Sequence, residues 1–280
     1  MDPETLEKTS NKISRDIELL EARPDDERKT RLQEAKETSG DRWDEFYKMH
    51  EEKFFKDRKW ILKDFPEVDP QDIFWEKSRK DSRNYPNHYV LELGCGVGNT
   101  LVPILKGVGC PELQLLGCDV SPTAIENAGK RPEISGDSRV NLFVQDATRE
   151  LTLPPGPTQG DISVILLIFV LSALGPEEME ATVKSAYQWL RPGGMLVVRD
   201  YAHGDLTQVR FKPEKCLAPG LYLRGDGTRA CYLTRDKLRE LMSHTGFEEM
   251  QNKEIKMLRT NRKTRSLMYR VMLQGKYIKR

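Results

Sequence analysis

One short stretch limits what this chain can fold into more than any other. Tyr89-Val90-Leu91-Glu92-Leu93-Gly94-Cys95-Gly96-Val97-Gly98-Asn99 is an apolar run that ends in three glycines, and a helical pattern follows it. That order describes a strand, a tight turn and a helix N-terminus. Glycines in such a turn let backbone N–H groups approach a ligand that a Cβ would push away. The spacing G-x-G-x-G is shorter than the G-x-G-x-x-G of pyrophosphate-binding loops. Glu92 stands two residues before the first glycine. A carboxylate there repels a pyrophosphate but pairs with a cationic or amino-bearing ligand. S-adenosylmethionine carries both a sulfonium and an α-amino group, which makes Glu92, Gly94, Gly96 and Gly98 candidate cofactor contacts. A glycine-rich turn without a ligand is the other reading.

The rest of the chain supplies the fold such a loop needs. Strands are expected at Tyr89–Leu93, Leu113–Cys118, Val140–Val144 and within Ile162–Leu171, whose unbroken apolar run marks a central strand buried on both faces. Helices are expected over Thr100–Lys106, from Ser121-Pro122 onward, and over Pro176–Trp189. Arg191-Pro192-Gly193-Gly194 stops that last helix and leads into strand Met195–Arg199. Thr234 caps a helix over Arg235–Thr245, Gly246 ends it, and strands about Glu248–Ile255 and Leu267–Gln274 close the chain. Seven strands alternating with helices mean an α/β, Rossmann-like, mostly parallel sheet with helices on both faces. Ligands bind such sheets at the carboxyl ends of the strands. Asp119, Asp146 and Asp200 fall at those ends, and Asp119 lies 21 residues after Gly98, the distance at which an acid meets a ribose diol. Asp146 is placed to accept from an adenine amine. Together with the glycine loop and the lack of a Walker lysine, these acids favour S-adenosylmethionine over a nicotinamide.

Three regions follow from composition. Residues 1–40 are polar and poor in apolar positions, so disorder or a loosely held helix is expected. Residues 41–85 form an aromatic and basic extension. Trp43, Phe46, Tyr47 and His50 share a helical face, and Phe54, Phe55, Lys56 and Arg58 follow. The extension is either a helix packed on the core or a lid, with Trp43 and Tyr47 over the cofactor and the later rings and cations facing unpaired bases. Residues 86–280 carry the α/β pattern and form the domain built on the glycine loop. Within it an insertion, 202–232, carries Arg210, Phe211, Arg224 and Arg229, with a hairpin tip at Leu223–Arg229. From Gln251 to Arg280 ten basic residues face one acid, which suits either an anionic partner or a solvated strand pair. The five cysteines form no C-x-x-C and the four histidines are scattered, so neither a disulfide frame nor a metal site is expected. No apolar run is long enough for a membrane span, and the N-terminus is too acidic for a transit peptide, which points to cytoplasm or nucleus.

Phe54-Phe55-Lys56-Asp57-Arg58, the glycine loop, Ile168-Phe169-Val170-Leu171-Ser172-Ala173 and Arg199-Asp200-Tyr201 together resemble the tRNA N3-methylcytidine methyltransferases. These are class I enzymes that modify cytidine 32 of the anticodon loop. Arg224-Gly225-Asp226-Gly227-Thr228-Arg229 and Met268-Tyr269-Arg270-Val271 resemble the branch acting on threonine and some arginine tRNAs. The resemblance implies cofactor contacts from Trp43, Tyr47, Gly94, Asp119, Asp146, Ala147 and Ile168. It also implies a tRNA anticodon stem-loop as partner, with a synthetase or another protein as a candidate to present it. Ala147 replaces a common Leu and Val120 a common Phe.

The chemistry needs little from the protein beyond alignment, because neutral cytosine carries a lone pair on N3. The product is cationic, so a carboxylate beside it stabilises developing charge. Asp200 is the candidate for that role; its alternative is to pair with Arg199 or cap the loop. The base must be unpaired or flipped out, and Phe169, Tyr201 and Phe211 are candidates to stack on it. Ser172 either bonds the base edge or caps a helix start. Candidate RNA contacts are Phe54, Phe55, Lys56, Arg58, Arg199, Arg210, Phe211, Arg224 and Arg229. The competing readings are a methyltransferase acting on protein or a small molecule, and a non-catalytic RNA-binding subunit.

Overall fold

The computed structural model describes residues 3–22, 28–50, 55–76, 87–260 and 267–280. Its centre is a seven-stranded sheet. The parallel strands are β1 (His88–Leu93), β2 (Leu113–Asp119), β3 (Val140–Val144), β4 (Ile162–Ile168) and β5 (Leu190–Tyr201), arranged β3-β2-β1-β4-β5. Three short strands follow in the insertion: β6 (Cys216–Ala218), β7 (Leu221–Leu223) and β8 (Arg229–Cys231). The long hairpin β9 (Phe247–Thr260) and β10 (Leu267–Lys279) then closes the large sheet, with β10 antiparallel to β5. Every residue of β4 is buried, as its unbroken apolar run requires. Because β1 lies between β2 and β4, the strand order reverses at its carboxyl end, and a crevice opens there.

Two boundaries differ from the sequence reading, each for a local reason. The apolar run ends as a strand at Ile168, because Phe169 turns to a φ of 62° and Leu171–Ala173 forms a 3-10 turn. β5 begins at Leu190, since Pro192-Gly193-Gly194 makes a register shift against β4 and not a separate turn.

The leading segment is helical, one of the two expected alternatives, but it is firmly packed and not loosely held. It forms α1 (Pro3–Glu21) and α2 (Arg28–Glu37). Ile13, Ile17 and Leu20 are few, but they fall one above another on one face of α1 and are all buried. Full burial of such side chains contributes about 1.5–3 kcal/mol each. Leu20 packs with Cys216, Tyr222 and Tyr232 of the insertion. Glu21 accepts from Gly220 N at 2.8 Å and from the Tyr222 hydroxyl, which fixes α1 to the insertion. Counting apolar residues missed this; their spacing carried it.

α3 (Ser39–His50) follows and lies over the crevice. A short helix, α4 (Ile61–Asp64), packs below it on α5 (Leu101–Gly107). The remaining helices are α6 (Pro122–Lys130), α7 (Pro176–Trp189) and α8 (Arg235–Thr245). Ser121 caps α6 by accepting from Ala124 N, and Thr234 caps α8. Gly246, at a φ of 96°, ends α8.

Candidate cofactor and substrate site

Two cavities open at the carboxyl ends of the strands. The larger, about 650 Å³, is lined by Asp119, Asp146, Ala147 and Leu174 among others. The smaller, about 380 Å³, is lined by Glu92, Gly96, Thr100, Ile168, Ser172 and Tyr201 among others. Trp43, Tyr47, Gly94 and Phe169 line both. A nucleoside joined to an amino acid fits such a pair, its halves meeting at the shared wall.

The glycine loop forms that wall because each glycine adopts a positive φ. A Cβ on Gly96 would lie 2.5 Å from the Tyr47 hydroxyl, and one on Gly94 would lie 2.7 Å from Val170. Gly98 has a different task from the expected cofactor contact. A Cβ there would strike Ile134, so it serves packing and does not line either cavity. Asp119 is buried and accepts from Gly96 N at 2.8 Å and Ser121 N at 3.0 Å. Burial pushes its carboxyl up to about 6 against those hydrogen bonds. Asp146 uses one oxygen on Thr148 N and Oγ1.

Glu92 is the most informative group. It is buried, and its Oε2 has no hydrogen-bond partner among the described residues. Burial pushes it up to about 8, opposed by a hydrogen bond with Thr100 and by the charge of Arg58. An unpartnered buried carboxylate oxygen is costly unless a ligand completes it. A primary ammonium does so, and the residues present therefore fit S-adenosylmethionine.

The cover over the crevice is built from α3. Phe46 and Tyr47 are buried against Val97 and Ala124, with Trp43 and Phe55 packed beside them. Asp44 holds the helix from one side, accepting from Ser121 Oγ at 2.6 Å and Thr123 N at 3.1 Å. Burial, then the neighbouring Asp119, raises the Tyr47 hydroxyl well above its usual range, so it stays a neutral donor. The buried face of this helix packs on the core, and that packing places Trp43 and Tyr47 on the cavities.

Part of the lining of the smaller cavity is aromatic and cationic. Phe169 and Tyr201 face each other with ring centroids 5.2 Å apart. The Arg58 guanidinium lies 5.0 Å from the Phe169 ring and 5.5 Å from Phe55. Arg224 lies 6.0 Å from the Tyr201 ring. Asp57 fixes the segment that carries Arg58, bonding Arg131 at 3.0 Å and Asn99 at 3.2 Å. Lys56 is exposed beside it.

Several expected roles move. Asp200 is buried and does not line either cavity. Its carboxylate accepts from Ser172 N at 2.9 Å and Tyr201 N at 2.8 Å, so it positions two cavity residues instead of facing a substrate. Arg199 is buried against Trp60, paired with Asp64 and bonded to Gln274, so it offers no surface to RNA. Arg229 is buried in a two-point pair with Glu178 and donates to Ser39 Oγ, tying the insertion to α7 and α3. Phe211 stacks on Tyr222 at 4.7 Å, away from the cavity, and Arg210 is exposed outside it. Phe54 lies outside the described residues. The sequence reading missed Thr100, Asp226, Arg270 and Met272 as cavity-lining residues. Asp226 and Arg270 stand in motifs already quoted, which was the signal available.

A family model described as a methyltransferase domain matches residues 91–196. The chain is 41% identical over 258 residues to the tRNA N(3)-cytidine methyltransferase METTL2 of Danio rerio, covering 85% of this chain and 72% of that protein. The chain belongs to the tRNA N3-methylcytidine methyltransferase family. The Homo sapiens relative METTL2B is 34% identical, with 85% and 78% coverage. The tRNA(Thr) (cytosine(32)-N(3))-methyltransferase of Saccharomyces cerevisiae is 37% identical over 83% of this chain, though over only 36% of the yeast protein. Among solved structures, a SAM-dependent methyltransferase from Anabaena variabilis has a TM-score of 0.55 at 14% identity, covering 86% of this chain and 95% of that one. That likeness concerns the fold alone. As a member of this family the chain is an S-adenosylmethionine-dependent enzyme, which the unpartnered Glu92 Oε2 and the paired cavities accommodate.

Proposed function

We propose that this protein methylates N3 of cytidine 32 in the anticodon loop of tRNA, with threonine and/or arginine tRNAs as acceptors. One observation carries the reading: a single cavity is lined both by Glu92 and the glycine loop and by the Phe169–Tyr201 pair, with Arg58 and Arg224 beside those rings. The carboxylate and glycines suit a cationic amino acid, and the rings with their cations suit an unpaired base and its phosphate.

When bound, the cofactor supplies an electrophilic methyl group on sulfur. The cytosine N3 lone pair would take that methyl in exchange for the sulfur, leaving the base cationic, so the groups around the base must accommodate a developing positive charge. No general base is needed, so the side chains align and stabilise. Phe169 and Tyr201 hold the base by stacking, and Trp43 and Tyr47 exclude water over the glycine loop. Asp119 and Asp146 are assigned to the ribose and the adenine amine.

Purified protein incubated with methyl-labelled S-adenosylmethionine and total tRNA tests the reading. Label in N3-methylcytidine after digestion supports it; label in protein, in another nucleoside, or nowhere contradicts it. The same assay tests whether a synthetase or another tRNA-presenting protein is needed, since full activity on naked tRNA argues against one. Cytoplasm or nucleus is the place of action this substrate implies, and cell fractionation tests it.

A further inference from the structure

Most polar groups around the aromatic and cationic part of the smaller cavity are already engaged. The Ser172 backbone N–H is held by Asp200 at 2.9 Å. Arg270 Nε is held by Asp205 at 2.8 Å. Thr228 Oγ1 sits between Arg224, at 3.2 Å, and Asp226 Oδ1, at 2.7 Å. Asp226 stands apart. Its Oδ1 is fixed by Thr228 N at 2.9 Å as well as by that hydroxyl, while no hydrogen bond to Oδ2 occurs among the described residues. Apart from Glu92, it is the one carboxylate among the described residues lining this cavity. The hairpin that carries it is held in place: Arg224 N donates to Thr228 O at 2.8 Å, and Gly227 packs on Arg42 of α3.

We propose that Asp226 is a specificity-determining residue whose Oδ2 accepts the N4–H of the target cytosine. The inference rests on the function proposed above. A cytosine presents an amino donor at C4, next to the reacting nitrogen, and cations such as Arg58 and Arg224 cannot bind it. A carboxylate can. Uracil presents a carbonyl oxygen at the same place, which the carboxylate repels, so the residue selects by rejection as well as by attraction. The same contact assists the reaction. As N3 is methylated, positive charge spreads over N3, C4 and N4, and the hydrogen bond from N4 becomes charge-assisted on both sides. This contact supplies the charge-stabilising carboxylate that Asp200, tied to backbone amides, does not.

The test compares two anticodon stem-loops, one with cytidine at the target position and one with the riboside of pyrimidin-2-one. The latter keeps the N3 lone pair and lacks the 4-amino group. Single-turnover methylation and RNA affinity in the presence of S-adenosylhomocysteine are both measured, so a poor substrate still reports. Asp226→Ala is expected to lower the rate on the cytidine RNA about tenfold to a hundredfold. On the pyrimidinone RNA the loss is expected to be less than about threefold. Asp226→Asn keeps an acceptor and is expected to retain part of the preference for cytidine, while unchanged cofactor affinity confirms a folded enzyme. Equal losses on both RNAs would mean that Asp226 only shapes the hairpin, and would overturn the proposal, as would an undiminished rate on the cytidine RNA. A wild-type enzyme that leaves N3 of the cytidine unlabelled contradicts the parent reading instead.

Discussion

Replacing Glu92 by Gln probes how the cofactor is held. Burial pushes the Glu92 carboxyl from 4.5 up to about 8, so at pH 7 it is about nine-tenths protonated in the free protein. To pair Oε2 with a ligand ammonium it must ionise. The α-amino group of a free amino acid, beside its own carboxylate, is already protonated at pH 7 and takes up almost nothing. The net release is therefore about 0.9 proton per ligand at pH 7. At pH 9 the carboxyl is already ionised in the free protein, and the release falls to about 0.1 proton. Affinity thus rises with pH up to about 8 and then levels. Asp119, pushed up to about 6, is about one-tenth protonated at pH 7 and changes this little. Glu92→Gln removes the release and the charged hydrogen bond, worth about 1.5–3 kcal/mol, or roughly 10–150-fold in affinity. Calorimetric titration with S-adenosylhomocysteine at pH 7, in two buffers of different ionisation enthalpy, reads the proton count directly. Equal heats in both buffers for the wild type, or undiminished affinity in Glu92→Gln, would refute the assignment.

The same substitution should stabilise the ligand-free protein at alkaline pH. Glu92 holds its proton more tightly folded than unfolded, so stability is lost as pH rises from 4.5 through about 8, by a few kcal/mol at most. Thermal scans at pH 6 and pH 9 should show a smaller drop for Glu92→Gln than for wild type, and parallel drops would contradict this. Arg229→Ala leaves the buried Glu178 carboxylate without its cation and should cost about 3–5 kcal/mol. The melting temperature should then fall by about 6 °C or more, and a fall under about 2 °C would show that the pair is not structural. Arg58→Ala should weaken tRNA binding about tenfold, since it removes the cation over Phe169 at the mouth of the cavity. Anisotropy with labelled tRNA and bound S-adenosylhomocysteine checks this; an unchanged affinity would exclude Arg58 from the RNA surface.

The parallel sheet and the cofactor end were legible because each rests on local signals. A glycine loop after an apolar run, an acid at each strand end and an Asp-Gly hairpin all state their geometry within a few residues. Asp119, Asp146, Ala147 and Ile168 accordingly line the cavities as expected. The failures concern residues whose partners lie far away in the chain. Arg199 and Arg229 read as surface cations, yet Asp64 and Glu178, 135 and 51 residues away, bury them in ion pairs. Asp200 stands at the expected strand end, but Ser172 N, contributed by the turn after β4, claims its carboxylate. The docking of α1 depended on a groove in the insertion that no local pattern announces.

The central claim is that the crevice delivers a methyl group to the Watson–Crick edge of one unpaired cytosine. Primer extension on a threonine tRNA, before and after incubation with the enzyme and S-adenosylmethionine, tests it most directly, because a methyl on N3 blocks base pairing where it sits. A new stop at position 32, absent when cytidine 32 is replaced by uridine, is the predicted result. Methyl incorporation into that tRNA with no stop there, or a stop that survives the replacement, would contradict it.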